Sequence, residues 1–231
     1  LAGIADGGSY VLRHAQLGCG GFCFASCTDV LLSHVDVWTA AGVAFWFGSS
    51  RNIELQSVGV RRRPGRPMSS IADASHFDSC GGEVLLERNH FEGQGDDGIN
   101  VHSSLHEVRA IIPNTGRFWL GSKPSAGPAT MTPLTLGGRY AFRNRRTWAL
   151  ESTATLLAVA VRNSTAGLPT QVADFDFPSA AAAAQVTPFA LLSDMAAEPS
   201  SVTVRGGFFG ANRARGALLK SSNTLVEDTV F

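Results

Sequence analysis

Short stretches of alternating apolar and polar residues run along this 231-residue chain, rich in Val, Leu, Ile and Phe and broken by Gly, Asp and Ser. A period of two marks half-buried strands, and helical periodicity is hard to find anywhere. Several pieces share one strand-plus-turn shape: GFCFAS, GVAFWFGSS, ADASHFDSC, DDGINVHSS and RARGALLKSS. New strands follow them: DVLLSHVDV, NIELQSVGV, EVLLERNHF and, after the last piece, NTLVEDTVF. The pieces recur mostly at twenty-odd residues, an interval that suits stacked coils of a solenoid. The expected fold class is all-β, a right-handed parallel β-helix. Leucine-rich repeats would need a Leu/Asn signature that is absent. A sandwich or barrel would show Asn-Gly hairpin turns, which are scarce.

One stretch breaks the repeat. Residues 109–200 hold mixed short strands such as TLLAVAV and an Ala-rich run, PSAAAAAQ, readable as a loop or a helical turn. A structureless loop of that length does not suit a compact fold, so an inserted small β-rich subdomain is expected. The domain reading is therefore 1–108 coils, 109–200 insertion, and 201–231 coils resumed.

Stacking turns alignment into distance, because equivalent residues of neighbouring coils lie about 4.8 Å apart. With Phe47, Phe77, Val101 and Leu219 as one inward column, Asp73 is level with Asp97 and Arg215. His76 is level with Trp46 and Asn100, and Asp78 with His102 and Lys220. Asp96 stands beside Asp97 in a column otherwise filled by Gly42, Ala72 and Ala214. The expectation is a patch of three carboxylates, with small residues leaving room for a ligand. Three acids that close cannot all ionise freely, so at least one should hold its proton more tightly than usual. A protonated and an ionised carboxylate together form the acid and base of glycoside hydrolysis, a wider separation leaving room for water in an inverting enzyme. A cluster of acids also suits Ca²⁺, but neighbouring Arg and His residues argue against a cation. Asp-Gly turns are common for conformational reasons alone, and it is the second Asp in register that makes the patch a candidate site.

The remaining bulk features exclude more than they assign. Lys plus Arg equals Asp plus Glu at 19 each, which argues against a general nucleic-acid or membrane-surface binder. No apolar run is long enough to span a bilayer. Cys19, Cys23 and Cys27 have a spacing marginal for zinc with no second pair downstream, and are read as small buried strand residues; a disulfide is not deducible. The basic loop RRRPGRP, Arg61 to Pro67, either is a solvated loop or borders an anionic glycan. Trp46 is read as packing sooner than as a sugar platform. Asn163-Ser-Thr is a glycosylation sequon. No signal-peptide pattern precedes the first strand, and a secreted or periplasmic location is expected.

The segments RPMSSIADASHFDSCGGEVLLERNHFEGQGDDGINVH and NRARGALLKSSN resemble glycoside hydrolase family 110, the exo-acting α-1,3-galactosidases, some of which remove the terminal galactose of the blood group B antigen. The likeness rests on Asp-Ala-x-His-Phe, a double Asp followed by Asn-x-His, and Arg-Ala-Arg-Gly, in that order. It covers roughly residues 30–108 and 202–231. It departs at Gly98, Ile99 and Ser103, which alter pocket shape and leave the acids in place. Family members are much longer, so the chain is expected to be part of one. The resemblance implies inversion without metal or cofactor. It implies Asp96 as general acid, and Asp73 and Asp97 as holders of the nucleophilic water. His76, Asn100, His102, Arg213 and Arg215 would bind sugar hydroxyls or orient the acids. The expected partner is a carbohydrate, an α-galactoside, with neither nucleic acid nor membrane; no oligomeric state is read from the sequence. Two alternatives stand beside this reading: a β-helix hydrolase of an acidic polysaccharide of the pectin or carrageenan type, and a non-catalytic carbohydrate-binding β-helix.

Overall fold

The computed structural model describes residues 7, 18–112, 115–122, 134–163 and 169–231. They fall into two compact units, one within residues 1–78, 82–101 and 200–231, the other within residues 79–81 and 102–199. The chain is all-β with parallel sheets, and one short α-helix stands among the described residues.

In the first unit the chain passes back and forth between two sheets. One holds, in order, β1 (Cys19–Ala25), β4 (Val43–Gly48), β7 (Ser75–Asp78), β9 (Ile99–His102) and β17 (Ala217–Leu219). The other holds β18 (Thr224–Val230), β16 (Pro199–Gly210), β8 (Gly81–Glu92), β5 (Arg51–Gln56) and β2 (Thr28–Ser33). Two short strands, β3 (Asp36–Val37) and β6 (Gly59–Val60), pair with each other, and β6 also pairs with β8. The pairs β1–β4, β4–β7, β9–β17, β2–β5 and β16–β18 are parallel.

The apolar columns read from the sequence match the pairing: Phe47 is partner to Phe77, Trp46 to His76, and Val101 to Leu219. Identical side chains one strand apart stack, with ring centroids 5.0 Å apart for Phe24 and Phe47 and 4.9 Å for Phe47 and Phe77. That is the inter-strand spacing itself, so offset stacking comes at no cost in register. In three of the five pieces a Ser turns the corner. Ser26, Ser49 and Ser79 all take left-handed backbone angles, φ 53, 50 and 55°. Their amides continue the ladder to the carbonyls of Gly48, Asp78 and His102. A left-handed corner is uncommon for a non-glycine residue, and its recurrence accounts for the Ser-rich turns. The ring of Trp46 covers Gly48, where any β-carbon would collide with it, so Trp46 packs.

Cys19 and Cys23 form a disulfide, with Cα atoms 6.0 Å apart. They are strand residues but not the buried ones that the sequence predicts: Cys19 is half-buried and Cys23 exposed. Opposite β4, an extra residue enters β1 between Cys19 and Phe22, and this bulge at Gly20 and Gly21 draws the two thiols together. Cys27 is half-buried and Cys80 buried.

The second unit is a closed antiparallel barrel in the order β10 (His106–Ile112), β11 (Arg117–Ser122), β14 (Pro169–Asp176), β13 (Leu150–Asn163), β12 (Arg139–Arg143) and β15 (Leu191–Asp194). Its first strand begins at His106, inside the stretch that the repeat reading assigns to coils. Phe118, Tyr140, Phe142, Leu156 and Phe175 fill the interior. Closure here does not rely on Asn-Gly hairpins. β12 turns into β13 through residues 144–149, where the Asn144 side chain accepts from the amides of Arg146 and Thr147. The Ala-rich run forms α1 (Ala180–Ala184), capped by Ser179. Asn163 ends β13; Ser164 and Thr165 of the sequon lie outside the described residues. Among the described residues, no helix is long and apolar enough to cross a membrane.

His106 gives this unit a pH response. It is buried, its Nδ1 has no hydrogen-bond partner, and burial pulls its pKa down to about 4. The folded state keeps the ring neutral, whereas the unfolded chain takes up a proton near pH 6.5. The stability this provides is intact above about pH 6.5 and is lost as pH falls toward 4, by roughly 3 kcal/mol in all. Denaturant titrations at pH 7 and 4.5 should therefore show a smaller loss for His106→Gln than for the wild type. Equal losses would contradict this role.

Candidate active site

Three turns, each leading into a strand of the same sheet, meet at one place: residues 61–74 before β7, 93–98 before β9 and 211–216 before β17. The ladder extends into them. The Ala74 amide donates to the Asp97 carbonyl at 3.0 Å and the Gly98 amide to the Arg215 carbonyl at 2.8 Å. Asp73, Asp97 and Arg215 thus stand in one column, as the alignment requires. The backbones close in at Gly98, where a β-carbon would lie 2.5 Å from the Gly216 carbonyl oxygen, so only glycine fits.

Asp73, Asp96 and Asp97 each present a carboxylate oxygen within 4.8 Å of the other two. Asp73 is 5% exposed and Asp97 1%, while Asp96 is half-buried. Asp73 is held from three directions. Its Oδ2 meets His76 Nδ1 at 2.6 Å and accepts from Asn100 Nδ2 at 3.2 Å. Its Oδ1 accepts the Asp97 amide at 3.0 Å. Asp97 is gripped by Arg215 in a bidentate fork, Nε to Oδ1 at 2.8 Å and Nη2 to Oδ2 at 2.9 Å, with the Arg215 amide also donating to Oδ1. Such a fork sets the carboxylate plane as well as its position. The Arg215 proton is in turn held more tightly than usual, first by this hydrogen bonding and then by the charges of Asp97, Asp96 and Asp73.

Asp73, Asp96, Asp97, His76, Asn100 and Arg215 are therefore brought together. Arg213 is not hydrogen-bonded to the trio; its amide donates to the Gln94 carbonyl, and its side chain lines an adjoining pocket. His102 closes β9, half-buried, and is grouped with the second unit. The residue reading missed Asn212, whose Nδ2 donates to the backbone carbonyls of both Asp96 and Arg215 and ties two of the turns together. An Asn opening a Gly-ended turn was the available signal. It missed Gln94 as well, whose Oε1 is buried without a hydrogen-bond partner, as is Asn100 Oδ1.

The wide carboxylate separation expected of an inverting pair is not what the register produces. Acid and base usually stand about 6.5–9.5 Å apart in such enzymes. Here two of the acids lead into adjacent strands and the third is next in sequence, and an oxygen of each lies within 4.8 Å of the other two. Three carboxylates at this spacing can also hold a divalent cation. Both oxygens of Asp97 are already engaged by a guanidinium, however, and its positive charge opposes a cation in the same place.

No family model matches the chain. Among curated proteins it is similar to α-1,3-galactosidase B of Akkermansia muciniphila, at 28% identity over 99% of this chain and 28% of the relative. It is similar to α-1,3-galactosidase A of Shewanella woodyi, at 28% identity over 87% of this chain and 32% of the relative. A shorter stretch, 39% of the chain, is 30% identical to α-1,3-galactosidase A of Bacteroides fragilis. The chain thus spans about a third of the length of the first two of these relatives. The likeness to glycoside hydrolase family 110 carried by its motifs holds across nearly the whole chain, which is a relative of curated α-1,3-galactosidases A and B.

Proposed function

We propose that this chain carries the catalytic face of an inverting exo-α-galactosidase that removes terminal α-1,3-linked galactose from glycans of the blood group B type. The observation that supports this most is the carboxylate trio, two of its members, Asp73 and Asp97, in register in adjacent turns and each fixed by its own set of donors. The names of the relatives support a galactosidase activity.

In this reading Asp96, the most accessible of the three, donates its proton to the glycosidic oxygen as the C–O bond breaks. Asp73 and Asp97 hold one water between them, and its oxygen bonds to the anomeric carbon while one of the pair takes its proton. A single water shared by two close acids is how the tight spacing and inversion are reconciled. His76 and Asn100 orient Asp73, and Arg215 orients Asp97. Arg213, and His102 from its place at the end of β9, bind sugar hydroxyls. No metal or cofactor takes part.

The alternating passage between two parallel sheets supports coils of a right-handed parallel β-helix, with the barrel inserted between them. The Cys19–Cys23 disulfide supports an oxidising compartment, hence a secreted or periplasmic protein.

Proton NMR of the protein as encoded in full, acting on an α-1,3-galactosyl oligosaccharide, tests the reading. Galactose should appear first as the β anomer and only later equilibrate. First appearance of the α anomer would overturn inversion, and no galactose at all would overturn the activity.

A further inference from the structure

Beside the trio lies a pocket of about 490 Å³, lined by Pro67, Met68, Gly93, Gln94, Asn212 and Arg213 among others. It is built by the earlier parts of the three turns whose later parts carry Asp73, Asp96, Asp97 and Arg215. We propose that this pocket is the subsite for the sugar ring on the leaving side of the cleaved bond, with Gln94 as a specificity residue. The assignment rests on the hydrolase reading above and goes beyond it by naming where the second sugar sits.

The pocket is fixed by the backbone. The Ser69 amide donates to Gly93 at 2.9 Å, the Gly95 amide to Ser70 at 2.9 Å and the Arg213 amide to Gln94 at 2.9 Å. Asn212 ties it to the trio through the Asp96 carbonyl. Gln94 is 2% exposed, and its NH₂ is directed at the Val60 carbonyl, 3.4 Å away, which settles the orientation of the amide. Its Oε1 is left buried without a partner. An unmet buried acceptor is costly, and a sugar hydroxyl is a donor of the right kind. Arg213 and Asn212 add donors, and Pro67 and Met68 add the apolar surface that a ring's C–H face requires.

Polarity of the substrate follows from exposure. A terminal galactose has nothing beyond it and suits the enclosed side, where buried Asp73 and half-buried His76 and Asn100 stand, the last with its own unmet acceptor. The leaving sugar continues into the rest of the glycan and needs an open rim. Pro67, Ala211 and Arg213 provide one, all exposed.

The test compares an aryl α-galactoside with an α-1,3-galactosyl trisaccharide in the complete protein, for the wild type, Gln94→Met and Met68→Trp. Met68 is half-buried on the rim, so the larger ring fills the pocket without entering the core; melting temperatures verify folding. Losing one neutral hydrogen bond should raise KM for the trisaccharide about five- to ten-fold more than KM for the aryl substrate in Gln94→Met, with kcat moved far less. Met68→Trp should widen that gap. A wild type active on both substrates, with variants that raise the two KM values by the same factor, overturns the subsite alone. A wild type inert on both overturns the subsite and the galactosidase reading together.

Discussion

Asp96→Asn in the complete protein is expected to lower kcat for an α-1,3-galactosyl oligosaccharide by about 10²–10⁴-fold, the usual worth of a positioned general acid. On a nitrophenyl α-galactoside the loss should be far smaller, because a nitrophenolate departs without needing a proton. Asp97→Asn should lose about as much on both substrates, since an attacking water has to be deprotonated whatever the leaving group. This contrast separates the acid from the water-holding pair, which adjacency in sequence cannot do. Asn keeps the volume of Asp97 but offers Arg215 one acceptor in place of two, so melting temperature verifies that the Asp97→Asn variant is folded. Equal losses for Asp96→Asn on the two substrates would remove Asp96 from the acid's role. Undiminished activity in both variants would remove the trio from the mechanism.

Phe77→Ala carries the largest expected stability effect, about 3–5 kcal/mol, the usual cost of emptying a buried phenyl site. Phe77 is 0% exposed and stacks on Phe47 at 4.9 Å. Its neighbour His76 holds Asp73, so the cavity lies directly behind the candidate site. Denaturant unfolding should show the loss, and kcat of the folded fraction should fall too as Asp73 moves relative to Asp97. A cost below about 1 kcal/mol would mean that the phenylalanine column does not set the strand register.

Much of the candidate site was legible because strand geometry has a period of two and a fixed spacing. Once Phe47, Phe77, Val101 and Leu219 are one column, Asp73, Asp97 and Arg215 have to be another. The barrel was less legible. Hairpin dipeptides would mark a barrel in the sequence, and its turn at residues 144–149 uses an Asn side chain instead. The disulfide was hidden as well: Cys residues four apart on a regular strand are too distant to bond, and only the bulge at Gly20 and Gly21 brings them close.

The sequence by itself determined which residues share a column and therefore that Asp73, Asp96 and Asp97 had to lie close together. Tertiary structure alone decided how they are held: the bidentate grip of Arg215 on Asp97, the three donors around Asp73, and the unmet acceptors of Gln94 and Asn100. Register is a property of the backbone, repeated every strand, and it shows in a pattern of residue types. Hydrogen-bond direction depends on where each side chain finds a partner after the turns have closed, and residue types carry no record of that.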